Sequence, residues 1–246
     1  MFSRAPPTAT ILETVRGYVE TKAARSDLAS FDLLNGLDPA AVKRMLRGVT
    51  AVRLAQGDLL DVTESGAACC VVRSGRLALD FDEEDAERHR TVTLLEEGDV
   101  LLPASESWAS VGPRVRGRAL EPSVVLVIDR ARFEGWLTEP RIAANLVRVL
   151  AAQIADRELA VAIALEPRVE RRLLLKLRQL AERFGRVTPQ GVRLDLRLTH
   201  QQLAEMVGAV RESVTIALGK LVQSEEITIE SRTIWIHPAG DTDPET

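Results

Sequence analysis

The stretch LTHQQLAEMVGAVRESVTIALGKLV, residues 198 to 222, constrains this chain more than any other. It holds two short segments of helical apolar periodicity hinged at Gly208, which reads as a compact helix pair. Thr199 stands where an N-cap belongs, and Gln202 three residues later completes a capping-box pattern. Leu203 with Met206 or Val207 is expected to point inward from the first helix, and Val210, Val214, Leu218 and Leu221 from the second. That leaves Arg211, Glu212 and Thr215, with Ser213 at the edge, projecting from the second helix's first turn and a half.

The flanks fit this pair into a larger unit. Upstream, LEPRVERRLLLKLRQLAERFG restarts a helix after Pro167 and ends at Gly185, a C-cap candidate, and the strand-like run VRLDLRL follows. Downstream, EITIESRTIWI gives two β-rich runs around Glu230, Ser231 and Arg232, a hairpin pattern. Helix, strand, helix, turn, helix and hairpin describe a winged helix-turn-helix over residues 167–240, with an acidic tail at 241–246.

Charge is distributed unevenly enough to matter. The chain of 246 residues carries a net charge of −4, which excludes a uniformly basic coat. Residues 168 to 240, however, contain 12 Lys and Arg against 8 Asp and Glu, a local excess that suits a polyanionic partner.

The first half has another rhythm. Residues 1–28, with Pro6 and Pro7, read as an extension without an assigned function. From Phe31 a short helix with Pro39 near its first turn gives way to β-branched runs punctuated by glycines, including ACCVVRSGRLALDF, TVTLLEEGDVLL and PSVVLVID. These predict a small antiparallel barrel or roll over residues 29–130, with DEEDAERHR (82–90) as a solvated hairpin excursion.

After Asp129 the period turns helical, and residues 131–166 are assigned a short helix and a long one. Arg141 to Leu165 lacks Gly and Pro and would span about 37 Å. Its apolar stripe supports two readings, a helix covering the barrel or a dimer seam. Leu146, Val149, Leu150, Ile154 and Val161 are the seam candidates, interrupted by Gln153, Asp156 and Arg157.

Cys69 and Cys70 are adjacent and poorly placed to staple a fold, and small apolar residues of a buried strand explain them best. No zinc-type spacing of His and Cys occurs, so no metal is expected. No signal peptide or apolar run of membrane-spanning length precedes them, and the expected location is cytoplasmic, with no membrane partner. An enzyme is the least expected class. No Gly-rich phosphate loop precedes a helix, and His89, His200 and His237 belong to the charged excursion, the capped helix start and the end of the hairpin.

A helix N-terminus entering the major groove needs groups such as those left exposed after Gly208. Arginine can give two hydrogen bonds to guanine, glutamate can accept from cytosine N4, and hydroxyls or free backbone N–H groups can hold phosphates. Duplex DNA is therefore the expected partner. The competing class is an effector-binding signalling or scaffold module whose winged domain contacts protein, since fold alone does not decide function.

LTHQQLAEMVGAVRESVTIALGKL followed by ITIESRTIWI resembles the C-terminal helix-turn-helix of the CRP/FNR family of bacterial transcription regulators. FDLLNGLDPAAVKRMLRGV, VVRSGRLAL and RRLLLKLRQLAERFG extend the resemblance to roughly residues 30 to 237. It implies an α+β fold, with an N-terminal antiparallel β-roll (a double-stranded β-helix), a long dimerisation helix and a C-terminal winged helix-turn-helix. It further implies a homodimer on a near-palindromic operator, with half-sites about 34 Å apart, and RNA polymerase as a partner if the protein activates. Arg211 and Glu212 fall on the family's base-reading pair, with Thr215 and Ile216 beside them. Thr199, His200 and Gln201 fall on its phosphate-contacting helix start, and Ser213 and Lys220 are further phosphate candidates.

Two departures from the family pattern stand out. Ile216 occupies a position where members commonly carry a second base-reading arginine, which implies an altered or looser preference at one operator position. In the roll, gapless alignment from Gly98 puts Pro103 on the family's ribose-binding glutamate and Pro113 on its phosphate-binding arginine, which disfavours cAMP and cGMP. Arg114, Arg116 and Arg118, with Arg157 from the long helix, are the arginines left for an effector in a shifted register. Heme through Cys69, Cys70 or His89 is a weaker alternative, and the effector is otherwise unknown.

Overall fold

The computed structural model describes residues 13–14, 31–61, 67–82, 90–102 and 114–238. Outside them lie the rest of the extension, the run 83–89 with His89, the segment 103–113 with Pro103 and Pro113, and the acidic tail. The chain divides into two compact units, residues 1–154 and 155–246.

The first unit is built on two antiparallel sheets. One contains β1 (Glu13–Thr14), β2 (Thr50–Leu54), β9 (Ser123–Asp129), β4 (Ala67–Ser74) and β7 (Val100–Leu101), in that order. The other runs β3 (Leu59–Asp61), β8 (Arg114–Ala119), β5 (Leu77–Asp82) and β6 (Arg90–Leu95). Alternation along the strands decides what fills the space between them. Val52, Cys70, Val72 and Val125 from the first sheet meet Leu60, Leu77, Leu79 and Ala119 from the second.

The opposite face of the first sheet, with Cys69, Val71, Leu126 and Ile128, forms a second core against helices. These are α1 (Pro39–Met45), α2 (Arg130–Leu137) and the first half of α3 (Pro140–Leu165). Each short helix has an acidic N-cap. Asp38 accepts from the Ala41 N–H at 3.2 Å, with Pro39 in the first turn, and Asp129 accepts from the Arg132 N–H at 2.9 Å. That backbone hydrogen bond holds the Asp129 carboxyl below its ordinary range.

The packing of α3 revises the seam. Leu146 is in the second core and Val149 and Leu150 pack against it, so three of the five seam candidates face the roll. Gln153 faces it too, its Nε2 donating to the Val100 carbonyl at 2.6 Å. Ile154 and Val161 do stay exposed, and Val147 and Leu165 join them. The physical reason is that α3 has apolar residues on more than one face, and the sheet selects one of them.

The second unit contains the end of α3, α4 (Val169–Phe184), β10 (Gly185–Thr188), β11 (Gly191–Leu194), α5 (His200–Val207), α6 (Arg211–Gln223), β12 (Ile227–Glu230) and β13 (Thr233–Ile236). The backbone break does fall at Glu166 to Arg168, between α3 and α4. The division between units lies earlier, inside α3, because residues after Ile154 pack with α4: Gln179 Nε2 donates to the Asp156 carbonyl at 3.1 Å. Leu173, Leu177, Leu203, Val214 and Leu221 are fully buried where α4, α5 and α6 meet.

The four strands form one antiparallel sheet in the order β10-β11-β13-β12. The pattern VRLDLRL suggested a single strand before α5. The structure has a hairpin instead, because GRVT pairs residue for residue with GVRL. Gly185 caps α4 in an extended conformation, not a left-handed one, as β10 begins there. A Cβ on Gly185 would collide with the Ala181 carbonyl oxygen, so close approach accounts for the glycine.

Candidate nucleic-acid interface

The helix pair is positioned by its caps. Thr199 is the N-cap of α5, its hydroxyl accepting from the Gln202 N–H at 3.1 Å while the Gln202 side chain accepts from the Thr199 N–H at 2.8 Å. The expected capping box is thus complete. Gly208 ends α5 at φ 61° and ψ 45°, a left-handed conformation that turns the chain at once into α6.

In α6 the buried positions are Val214, Ala217, Leu218 and Leu221. Val210, expected on the inner face, is the N-cap and is 42% exposed, because it precedes the first helical turn. No side chain caps this helix, so its first N–H groups are left to a ligand or solvent. Arg211 and Glu212 stand exposed at that open end, and neither side chain has a partner among the described residues.

The other candidates surround this end with different degrees of freedom. Ile216, one turn after Glu212, is 63% exposed. Ser213 is half-buried. The Thr215 hydroxyl lies 3.0 Å from the Arg211 carbonyl and 2.8 Å from His200 Nδ1. Gln201 donates to Glu205 at 3.2 Å. Lys220 lies 3.5 Å from the Glu170 carboxylate, an exposed pair that a phosphate would have to outcompete.

Arg232 is a candidate that the sequence pattern did not single out. It occupies a two-residue turn between β12 and β13, where Ser231 (φ 49°) and Arg232 (φ 68°) are both left-handed. That is the hairpin turn whose twist matches the strands, and non-glycine residues occupy it at some cost. The Arg232 side chain is exposed at the wing tip without a partner among the described residues. An arginine between two strand-like runs was the available signal.

In the first unit two of the arginines expected to serve an effector, Arg116 and Arg118, are already engaged. Val115, Gly117 and Ala119 of β8 face the interior between the sheets, which turns Arg116 and Arg118 to the opposite face. There Arg118 Nε donates to the buried Asp80 at 2.6 Å, and Thr91 donates to the same carboxylate at 2.6 Å. Arg116 lies 3.8 Å from Asp61. Arg114 opens the same strand, and Arg157 is exposed on α3 in the other unit.

The adjacent cysteines point to opposite faces of β4, Cys69 into the helix-covered core and Cys70 between the sheets. Burial raises both thiols, Cys70 to about 12, so neither offers a thiolate at neutral pH. No helix among the described residues is long and apolar enough to cross a membrane.

Comparison with known proteins agrees with this geometry. Residues 168–238 match the model of the Crp-like helix-turn-helix domain. The CRP-like cAMP-activated global transcriptional regulator of Mycobacterium tuberculosis is 26% identical over 212 residues, covering 85% of this chain and 93% of the relative. The global nitrogen regulator of Synechocystis sp. is 30% identical over 155 residues, covering 62% of this chain and 69% of the relative. Among solved structures, a CooA variant from Carboxydothermus hydrogenoformans superposes with a TM-score of 0.69 at 22% identity, covering 84% of this chain and 90% of that one. With a helix-turn-helix that matches the Crp-like model and relatives that extend the match into the β-roll, the chain belongs to the CRP/FNR family of transcription regulators.

Proposed function

We propose that the protein is a homodimer that reads a near-palindromic DNA operator with the N-terminal turns of its two copies of α6. The observation that carries this is the uncapped start of α6, where Arg211 and Glu212 are exposed and unpartnered among the described residues. Two long charged side chains set side by side on a packed helix keep a fixed register, and they suit guanine and cytosine edges. Thr199, Gln201 and Ser213 are the phosphate candidates near it, and Arg232 is a further one, exposed at the wing tip. The Crp-like domain match adds its weight to the DNA reading.

The dimer is supported by α3. Val147, Ala151, Ile154, Glu158, Val161 and Leu165 are all exposed and follow one another at spacings of four and three. That is a heptad seam, the pattern that brings two helices together along a two-fold axis. Ile154 and Val161 stay in it, whereas Leu146, Val149 and Leu150 give way to residues on the free face.

The sensor of this chain departs from the ordinary cyclic-nucleotide site. Pro103 and Pro113 supply no carboxylate and no guanidinium, and Arg116 and Arg118 are paired on the face turned away from the interior. The M. tuberculosis relative is named as cAMP-activated, so the contrast is testable on equal terms.

The deciding experiment is selection of bound duplexes from a random pool with and without cAMP, cGMP and a cyclic dinucleotide. The expected result is a two-fold-symmetric site independent of cAMP. Arg211→Ala should lose ~1–3 kcal/mol of discrimination at one base pair per half-site, with the dimer intact. An unchanged sequence preference in that variant refutes the assignment of Arg211. No duplex affinity at any salt concentration refutes DNA binding and favours a protein-contacting module.

A further inference from the structure

His200 and Thr215 form a contact across the helix pair that base reading by Arg211 and Glu212 does not use. His200 is the first residue of α5, and its Nδ1 lies 2.8 Å from Thr215 Oγ1 on α6. The same oxygen lies 3.0 Å from the carbonyl of Arg211, one turn earlier. A carbonyl can only accept, so the threonine hydroxyl proton is committed to Arg211. The hydroxyl oxygen can then only accept from His200, which puts the imidazole proton on Nδ1.

This arrangement has two consequences for readout. With its proton on Nδ1, a neutral His200 ring presents a lone pair at Nε2, so the side chain has nothing to donate to a phosphate. The residue that aligns with a phosphate contact is thereby turned to another task. The second consequence concerns Thr215, whose hydroxyl is satisfied within the protein. What it offers a groove is its methyl group, on the same exposed side of α6 as Ile216, which is 63% exposed.

We propose that His200 is a positioning residue that, through Thr215, fixes the turn of α6 bearing Arg211 and leaves Thr215 and Ile216 as an apolar pair that selects a thymine methyl. The proposal rests on the DNA-reading function. It converts the missing arginine at Ile216 from a loss of specificity into a different specificity, for a T·A pair next to the base read by Arg211.

Five variants of the chain separate the parts, one of them Ile216→Ala, which removes the exposed apolar side chain beside Thr215. Thr215→Val keeps the methyl and removes the hydroxyl, and Thr215→Ser does the reverse. His200→Ala removes the imidazole, and His200→Asn keeps an N–H donor near the Nδ1 position. Each is measured for its selected half-site and for the salt dependence of binding to the wild-type site, with a thermal melt to confirm folding.

Thr215→Val and His200→Ala are expected to lose discrimination at the Arg211 base pair by at least about fivefold, with the salt slope unchanged. His200→Asn should restore it. Thr215→Ser and Ile216→Ala should keep it and relax the preference for thymine. The proposal is overturned if His200→Ala weakens all sequences equally and lowers the salt slope by about one, the signature of a lost phosphate contact. It is also overturned if Thr215→Val reads the same site as wild type. A wild-type protein that selects no sequence at all rejects the DNA-reading function itself, a separate result.

Discussion

Replacing Ile154 with alanine isolates the seam from the fold. Ile154 is 55% exposed on the folded chain, so it contributes little to the roll, and alanine is at least as good a helix former. In a dimer with the 4-3 spacing the exposed part of the side chain becomes buried. Full burial of an isoleucine is worth about 1.5–3 kcal/mol, and roughly half of that, about 1 kcal/mol, remains to be gained on association. A two-fold axis duplicates the change, so the variant loses about 2 kcal/mol, or about 3 if a cavity persists. The dimer dissociation constant should therefore rise about 30- to 150-fold, while the midpoint of urea unfolding changes little at protein concentrations low enough that both proteins are monomeric. Sedimentation equilibrium over a concentration series measures it directly. Leu146→Ala is the internal contrast: that residue is 9% exposed within the helix-covered core, and its loss should cost about 2–5 kcal/mol of fold stability. An Ile154→Ala protein with an unchanged dissociation constant refutes the seam as drawn.

Three further outcomes follow from named groups. Glu158 lies in the middle of the seam, between Ile154 and Val161, where it would face its own copy; Glu158→Leu should tighten the dimer about tenfold, and a looser dimer would show that it meets a cation there. Lys176 is buried on α4, its Nζ donating to Gln179 at 2.9 Å, and burial lowers its pKa from 10.5 despite Asp156 nearby. The unfolded chain then holds more protons than the folded one between the lowered value and 10.5, so stability should rise with pH across that window. Lys176→Met should abolish the rise and add about 1 kcal/mol at pH 7, both read from urea titrations at several pH values. Cys69 and Cys70 are buried and their thiols are raised, so a thiol reagent should leave the native protein unmodified and label both on denaturation; rapid native labelling would contradict the packing of β4.

Much of the DNA-binding unit was legible because its signals are local. A capping box needs only Thr199 and Gln202 at the right spacing, a left-handed turn needs Gly208, and the buried face of α6 repeats with the helical period. Val210 was misread because periodicity does not say where a helix starts, and one residue before the first turn an apolar side chain leaves the core. The hairpin at 185–194 was half seen, since GRVT has little β pattern of its own and becomes a strand by pairing with GVRL. In the roll, the apolar run AACCVV was readable as a buried strand, but not that Cys69 and Val71 look toward the helices while Cys70 and Val72 look between the sheets.

By itself the sequence determined the helix pair with its capping box and its turn at Gly208, the wing hairpin, the change from strand to helix period after Asp129, and the residues at the open end of α6. These depend on backbone preferences and on side chains a turn apart, interactions that close within a few residues. Only the tertiary structure decided which face of α3 is free to meet a second copy, that Arg116 and Arg118 already serve Asp61 and Asp80, and that His200 reaches Thr215. Each of those depends on a partner far along the chain, or on another element competing for the same surface. A pattern of residue types records that a helix has apolar faces, and packing chooses among them.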